Sequence, residues 1–559
     1  MATRPPDLPE NKSPKPPDAP ERRRANESAQ PPARASTPFS VGALFARWLP
    51  RRRDRVGGVN ISGGDVRISG DLVAGDKIIN IGSIVVPIRF IAVLVLLFLG
   101  AGVATWYIIT PDTMDDVNAS AFKIAVADFG KLDAQGNVTT AGDSSSWSAW
   151  MYQTLRDEAA QLPSDRQVVI WHDSMFPLQM RARIGVIAGK TSAERELAAE
   201  KKAMELRADM LIYGNFATEQ TPATFAPEFY LAKSRNEADE MRGSQKMGKA
   251  FPAPASLDPS DALTNEYLNQ NLKPRAAALV WFVRGLLADL SGNFENAYQL
   301  FGDGLTQVKD LKDEQGKSVF YYFLGQESLF LSQNENRARA FFGPTAGTGA
   351  DAALERAEKW FRDAIALDAN YARAHFGLGS VFYQRANLIL SNTFADDPAR
   401  APVAELLDNA IATHQRALEL AQIESGSLIA QQARIQLGFD YYAQGRAALE
   451  EKRYAHAEQA LAQARANLEQ GLAETPEGQH RIRAQVFATL ATTAYLNAKG
   501  RAEQNDVAGA RQNFTAAETA FSQCVTESVQ LVQDAYLQTL KQDCEYGKAE
   551  MQKEIAKLN

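Results

Sequence analysis

The sequence predicts a multidomain chain: a disordered tail and a small β segment, one transmembrane helix, a small α/β domain, and an all-α superhelix of paired helices. Three observations carry this expectation. An uncharged, strongly apolar run fills Phe90 to Pro111. Short apolar runs alternate with helix-like stretches between residues 121 and 250. After residue 280 one spacing of Gly with aromatic and small residues recurs four times. The boundaries that follow are 1–56 for a basic, Pro-rich tail, 57–86 for the β segment, 87–111 for the membrane helix, 112–255 for the α/β domain and 256–559 for the solenoid.

Residues 1 to 38 are rich in Pro, Ala, Arg, Glu and Asp, with almost no large apolar side chain before Phe39. Such a segment cannot bury enough surface to offset its ordering entropy, so disorder is expected. Phe39 to Leu49, followed by Arg51, Arg52, Arg53 and Arg55, reads either as a short amphipathic turn on a membrane surface or as linker. From Val59 to Val86, β-branched residues are punctuated by Gly64-Asp65, Gly70-Asp71 and Gly75-Asp76. Short strands with tight turns are expected there, forming a small ladder with possible self-association. The nonapeptide of a calcium-binding roll is absent from it.

The run Ile91-Ala-Val-Leu-Val-Leu-Leu-Phe-Leu-Gly100 has the length and apolarity of a bilayer span, and it closes with Trp106-Tyr107, an interfacial pair. Arg47, Arg51 to Arg53, Arg55 and Arg89 precede it; Asp112, Asp115 and Asp116 follow it. The positive-inside bias then places the N-terminus in the cytoplasm and the later domains outside.

Between residues 121 and 250 the reading is strand at Phe122–Phe129, helix at Trp147–Leu162, strand at Val168–His172, helix at Thr191–Arg207 and strand at Ala208–Phe216, with an edge strand at Phe225–Leu231. This alternation predicts an α/β layer with a mainly parallel sheet. The order of "KIAVADF", "VVIW" and "ADMLIYGNF" resembles the N-terminal domain of TolB-like envelope proteins, a resemblance that implies a fold and an envelope setting and brings no catalytic residue.

In the C-terminal half, Trp281-x2-Arg284-Gly285-x2-Ala288 leads to Phe294 and Ala297-x3-Phe301. Tyr321-x2-Leu324-Gly325 leads to Ala357-x3-Phe361-x2-Ala364 across a Gly/Asn-rich stretch at 333–350. His375-x2-Leu378-Gly379-x2-Phe382 leads to Ala410-x3-His414-x2-Ala417, and Arg434-x2-Leu437-Gly438-x2-Tyr441 leads to a helix opened by Tyr454 and Ala457. These segments resemble tetratricopeptide repeats, in which Gly sits where two helices pack closely and aromatics fill the gap between them. Helices at about 480–502, 506–526 and 528–557 continue the rhythm without the motif, as capping units do. The resemblance implies a groove, lined by the first helix of each repeat, that holds peptides or partner proteins. The matching positions are Phe282, Tyr322, Arg373, Phe376, Tyr383, Gln384, Phe439 and Tyr442.

The chain of 559 residues is 45% apolar and 23% charged, with a net charge of −7. An acidic chain without a clustered cationic face is not expected to bind nucleic acid. Gly185-Val-Ile-Ala-Gly189-Lys190-Thr191 looks like a phosphate loop but has three residues between its glycines where four are needed, and Thr191 with Glu194 reads as a capping box. The five histidines, at 172, 375, 414, 456 and 480, have no metal-ligand spacing. With no nucleophile motif either, the expectation is a protein that is not an enzyme and has no catalytic, cofactor or metal residues.

Cys524 and Cys544 have no C-x-x-C spacing. A hairpin turning near residues 527–530 would leave them roughly 15 Å apart in height. A turn nearer residue 534 would bring them within the roughly 7 Å that a disulfide needs, and the reading favours that later turn and a bridge. The functional expectation is a membrane-anchored scaffold for protein–protein contacts at the cell envelope. The alternative is a transmembrane sensor whose α/β domain binds a ligand and signals through the β segment.

Overall fold

The computed structural model describes residues 78–81 and 84–87 and, with short interruptions, 121–558. The chain divides into two compact units, Met1–Arg89 and Phe90–Asn559. In the first, strands β1 (Ile78–Ile81) and β2 (Ile84–Pro87) form an antiparallel hairpin in which Ile78 faces Pro87 and Ile81 faces Ile84. The expected disordered tail at 1–56 and the rest of the Gly-Asp ladder lie outside the described residues.

Two expectations need correction. Among the described residues no helix is long and apolar enough to cross a membrane, and the segment expected to do so, 87–111, lies outside them save for Pro87 at the end of β2. The single-pass fold class and the inside–outside placement that followed from it are therefore withdrawn: the described residues are mostly helical, with one small sheet in the second unit besides the β1–β2 hairpin of the first. That sheet is mixed, where a mainly parallel one was expected.

Its centre is parallel. Strand β3 (Phe122–Val126) lies between β6 (Val168–His172) and β7 (Met210–Ala217), with β4 (Gly130–Leu132) continuing beside β7 and paired to β5 (Val138–Thr139). On the far side of β7, β8 (Thr224–Leu231) runs antiparallel. It is no edge: β9 (Gly243–Lys246) and β10 (Phe251–Pro252) pair with successive stretches of it. Side chains alternate between the sheet's two faces with the strand period of two. Ala125, Ala127, Leu211, Tyr213 and Tyr230 pack on one face against Ala199, Ala203 and Leu206 of α2 (Ser192–Leu206). Ile124, Val126, Ile212, Phe216, Phe225 and Phe229 pack on the other with Trp147 and Met151 of α1 (Gly142–Ala159).

That second core does not stop at the domain boundary. It runs on through Leu279, Phe282 and Leu286 of α4 (Lys273–Leu290), Phe301 of α5 (Phe294–Gln307) and Phe320 and Phe323 of α6 (Lys317–Ser332). Helix α3 (Ala262–Asn271), opened by Asp261 as its cap, joins sheet to solenoid. Sheet and solenoid thus share one apolar core.

The helices form hairpins. α4 pairs with α5; α6 pairs with α8 (Gly349–Leu367); α9 (Ala372–Asn392) with α10 (Val403–Leu420); α11 (Ser427–Glu450) with α12 (Tyr454–Glu474); and α13 (His480–Glu503) with α14 (Val507–Ser528). The Gly/Asn-rich stretch 333–350 holds a short helix α7 (Glu335–Phe342). It bonds back on both sides: the Glu335 carboxylate accepts the amides of Gly349 and Ala350, and Arg337 donates to Glu295 of α5.

One contact recurs through the hairpins. A Cβ at Gly285 would meet Phe301, at Gly325 it would lie 2.6 Å from Phe361, at Gly379 2.6 Å from His414 and at Gly438 2.5 Å from Leu468. Each bulky partner stands four residues after an alanine: Ala297, Ala357, Ala410 and Ala464. The helix after Gly438 begins at Tyr454, yet the residue that meets the glycine is Leu468, about three turns beyond Ala457. At Gly379 the neighbour cannot retreat, because the His414 ring is held by Asp440 and by the Phe376 carbonyl. Replacing Gly379 by Leu is expected to lower stability by about 2 kcal/mol or more, since overpacking a filled contact costs roughly 1–3 kcal/mol. Urea midpoints of the two proteins measure this, and equal midpoints would contradict the packing described.

The chain closes with α15 (Ala535–Lys557) against α13 and α14. Because α14 ends at Ser528 and α15 starts at Ala535, Cys524 and Cys544 come level, with Cα atoms 6.3 Å apart, and are joined by a disulfide.

Candidate functional site

From α6 onward, successive first helices of the hairpins (α6, α9, α11, α13 and then α15) pack on one another, whereas successive second helices do not approach as closely. A stack joined more tightly on one side curves toward that side, so the first helices line its inner face. All eight groove positions expected from the sequence lie on first helices. The structure divides them into two groups.

Phe282, Tyr322, Arg373 and Phe376 are buried. The Phe282 ring packs 5.7 Å from Phe229 of β8. Tyr322 packs edge-on and tilted among Phe323, Phe361 and Tyr371. Phe376 lies beside His414 in a cluster with Ala417, Leu420 and Ile429. Arg373 donates to the Ser244 carbonyl at 3.3 Å and lies 3.8 Å from the Glu196 carboxylate of α2. What covers the first of these helices is the chain's own strand β9 and the turn after it.

Several polar groups of that segment bond to α2 and to helices and loops of the solenoid. Arg275, 2% exposed, donates to the carbonyls of Met247 at 2.7 Å, Lys249 at 3.1 Å and Glu314 at 3.3 Å, and also to Asn271. Tyr371 donates to the Gln245 side chain at 2.7 Å, and the Lys249 amide donates to the Glu314 carbonyl at 2.7 Å. Glu196 takes the Ser244 amide at 2.9 Å. Burial pushes the Arg275 guanidinium down to about 10 and the Glu196 carboxyl above its ordinary value, with Arg373 opposing the latter shift. Buried charges with this many partners fix one geometry, because losing a partner strands a charge out of water. The cavity left at this junction, edged by Ser192, Gln245, Tyr371 and Arg373, is only ≈ 30 Å³.

Tyr383, Gln384, Phe439 and Tyr442 are only partly buried. Burial pushes the Tyr383 phenol up to about 12. Phe439 packs on Ile435, Leu468, Ile482 and Val486, between two hairpins. Tyr442 opens onto a cleft of ≈ 410 Å³ between α11 and α13, shared with Arg446, Leu449, Lys452, Tyr495 and Lys499. Ligand clefts commonly measure roughly 300–1,000 Å³, so this one has the size to hold side chains of another molecule. A second cleft of ≈ 370 Å³ lies between α12 and α14, floored by Leu490 and Ala494 and walled by Asn497, Asn513 and Gln523.

Two further polar clusters escaped the sequence reading. At the carboxyl ends of β3 and β6, His172 Nε2 lies 2.9 Å from Ser148 Oγ and 3.3 Å from Asp128. The Ser174 amide donates to His172 Nδ1 at 3.0 Å, which leaves the ring proton on Nε2. The hydrogen bond from His172 holds the Asp128 carboxyl below its ordinary pKa. Ser148 and His172 are both buried, and this cluster locks α1 onto the sheet. Deep in the solenoid, His414 Nδ1 lies 2.6 Å from Asp440, both fully buried, with burial raising the Asp440 pKa against the pull of His414. The available signal was His414 itself, a polar residue where the neighbouring hairpins carry Phe301, Phe361 and Leu468.

The phosphate-loop look-alike is closed by its own helix. Glu194 accepts the amides of Lys190 at 2.7 Å and Thr191 at 3.4 Å, and Thr191 caps Glu194 in return.

No family model matches the chain, and no curated protein matches it. Among solved structures, a circular tandem repeat protein with a novel repeat topology is 16% identical over 53% of this chain and 74% of its own, with a TM-score of 0.22. A human IFIT1 dimer with m7Gppp-AAAA is 12% identical over 53% of this chain and 94% of its own, with a TM-score of 0.12. At these scores neither likeness bears on what this chain binds, and the helical-repeat architecture stands on the hairpin geometry above.

Proposed function

We propose that the chain is a non-enzymatic, tetratricopeptide-type scaffold that holds a partner protein on the inner face of its C-terminal hairpins. The observation that carries this reading is the division of the inner face. Its N-terminal part is covered by β9 and sealed with Arg275 and Arg373, while α11 and α13 leave Tyr442 beside an open cleft. The sheet, for which the sequence resembles TolB-like domains, serves in this reading as the cap that a helical stack needs at its end.

The test is a photo-crosslinking amino acid placed at Tyr442 or Gln384, in the full chain and in the cells that make it. Discrete protein adducts are expected at these positions and not at Leu263, an exposed residue on α3 away from the face. Equal labelling at all three positions, or none at Tyr442, would remove the reading.

A further inference from the structure

The charges around Tyr442 are unequal in a way that says what the cleft accepts. Its two acidic residues are occupied. Glu450 is held by Arg400 at 2.7 Å and Arg446 at 3.0 Å, and Glu503 accepts the Tyr454 hydroxyl at 3.0 Å. Its two lysines are not: among the described residues, Lys452 and Lys499 have no carboxylate partner, and both are exposed. Lys452 stands at the end of α11 with φ 59°, where its amide bonds back to the Leu449 carbonyl, so its backbone is fixed while its ammonium is free. Tyr442, Tyr495 and Leu496 add apolar surface to the same cleft.

Resting on the scaffold reading, we propose that this cleft binds an acidic peptide segment of the partner, its carboxylates on Lys452 and Lys499 and an apolar or aromatic side chain against Tyr442 and Tyr495. Opposite charge across an interface steers and selects partners more than it adds affinity, and aromatic anchors supply the affinity. A nucleic acid suits the site less well. Its evenly spaced phosphates need a continuous cationic track, and here the two free cations share a cleft with Glu450 and Glu503. The α12–α14 cleft offers no such preference, since its charged residues Arg465 and Glu469 pair with each other at 2.7 Å.

The experiment uses the full chain and three fluorescein-labelled probes: a Glu/Tyr copolymer peptide, a Lys/Tyr copolymer peptide and a single-stranded oligothymidylate, followed by anisotropy at low salt. The Glu/Tyr peptide is expected to bind, to weaken as salt rises, and to lose about tenfold or more in affinity in the K452E/K499E variant, because each reversal turns an attraction into a repulsion. R465E, in the other cleft, serves as the control and is expected to leave binding unchanged. Thermal melts of both variants confirm that they fold. Three results overturn the proposal: affinity unaffected by K452E/K499E, equal binding of both peptides, or tighter binding of the oligonucleotide. A chain that still gives protein adducts at Tyr442 but ignores the Glu/Tyr peptide keeps the scaffold reading and loses only this one.

Discussion

A fragment beginning at residue 256 is expected to fail as a folded, monodisperse solenoid. Cutting there removes the sheet from a core it shares with the helices and exposes Leu279, Phe282 and Phe320, each buried in the intact chain. Burying one such side chain is worth roughly 1.5–3 kcal/mol, so losing the cover from several approaches the whole stability of an ordinary domain. The cut also strips Arg275 of the Met247 and Lys249 carbonyls, leaving a guanidinium beside newly exposed apolar surface. Size-exclusion chromatography and circular dichroism measure the outcome. The expected result is aggregation or a non-cooperative melt. A monomer that melts sharply within a few degrees of the intact chain would mean that the sheet is an ornament on an independent solenoid.

The second large effect is expected at His414. Changing it to Ala leaves the fully buried Asp440 carboxyl without the ring nitrogen it bonds, and breaking one side of a buried pair costs roughly 3–5 kcal/mol. Asp440 already has a raised pKa because of burial, and His414 is what pulls against that rise. In the variant its folded-state pKa therefore climbs further above the unfolded value. A carboxyl of this kind binds its proton more tightly when folded. Its penalty is small below the unfolded pKa, near 3.8, and grows as pH rises through the folded pKa. The deficit of His414→Ala relative to the parent should thus be larger at pH 8 than at pH 5, as read from urea midpoints at the two values. Replacing both residues, as His414→Phe with Asp440→Leu, should recover most of the loss. A deficit independent of pH would show that the ring matters only for its volume.

The hairpins were legible because their signal is local. A glycine on one helix and a bulky residue four after an alanine on the next announce a close helix crossing whatever surrounds them. The closure of the inner face was not. Phe282 and Arg373 are of the residue types that line an interface, and sequence cannot say whether the other side of that interface is a partner or the same chain. Here it is the same chain, through Gly243–Lys246, a four-residue polar strand with no alternating pattern. Arg373 reaches that strand across 129 residues of sequence, a distance over which no spacing rule operates. Tyr442 was named on the same grounds as Phe282, and only the position of the sheet separates them. Beyond β8, which was read as a strand, the two outer antiparallel strands were missed for a related reason. β9 and β10 are too short to show a period, and their pairing is decided by β8, which read as an edge. His414 shows a further limit, since its partner Asp440 lies on a later helix and nothing in the pattern around Gly438 marks that residue.

Native-state hydrogen exchange on the full chain tests most directly whether the sheet closes the inner face as a fixed part of one core. The amide of Ser244, held by Glu196, and that of Lys249, held by the Glu314 carbonyl, are the reporters, with the amides of α4 and α6 as the reference. If the segment is part of the shared core, these amides exchange only in the opening that also releases α4 and α6, with the same free energy and the same dependence on denaturant. Exchange of the 244–249 segment at a free energy several kcal/mol lower, while α4 and α6 stay protected, would contradict this and make the segment a detachable cover.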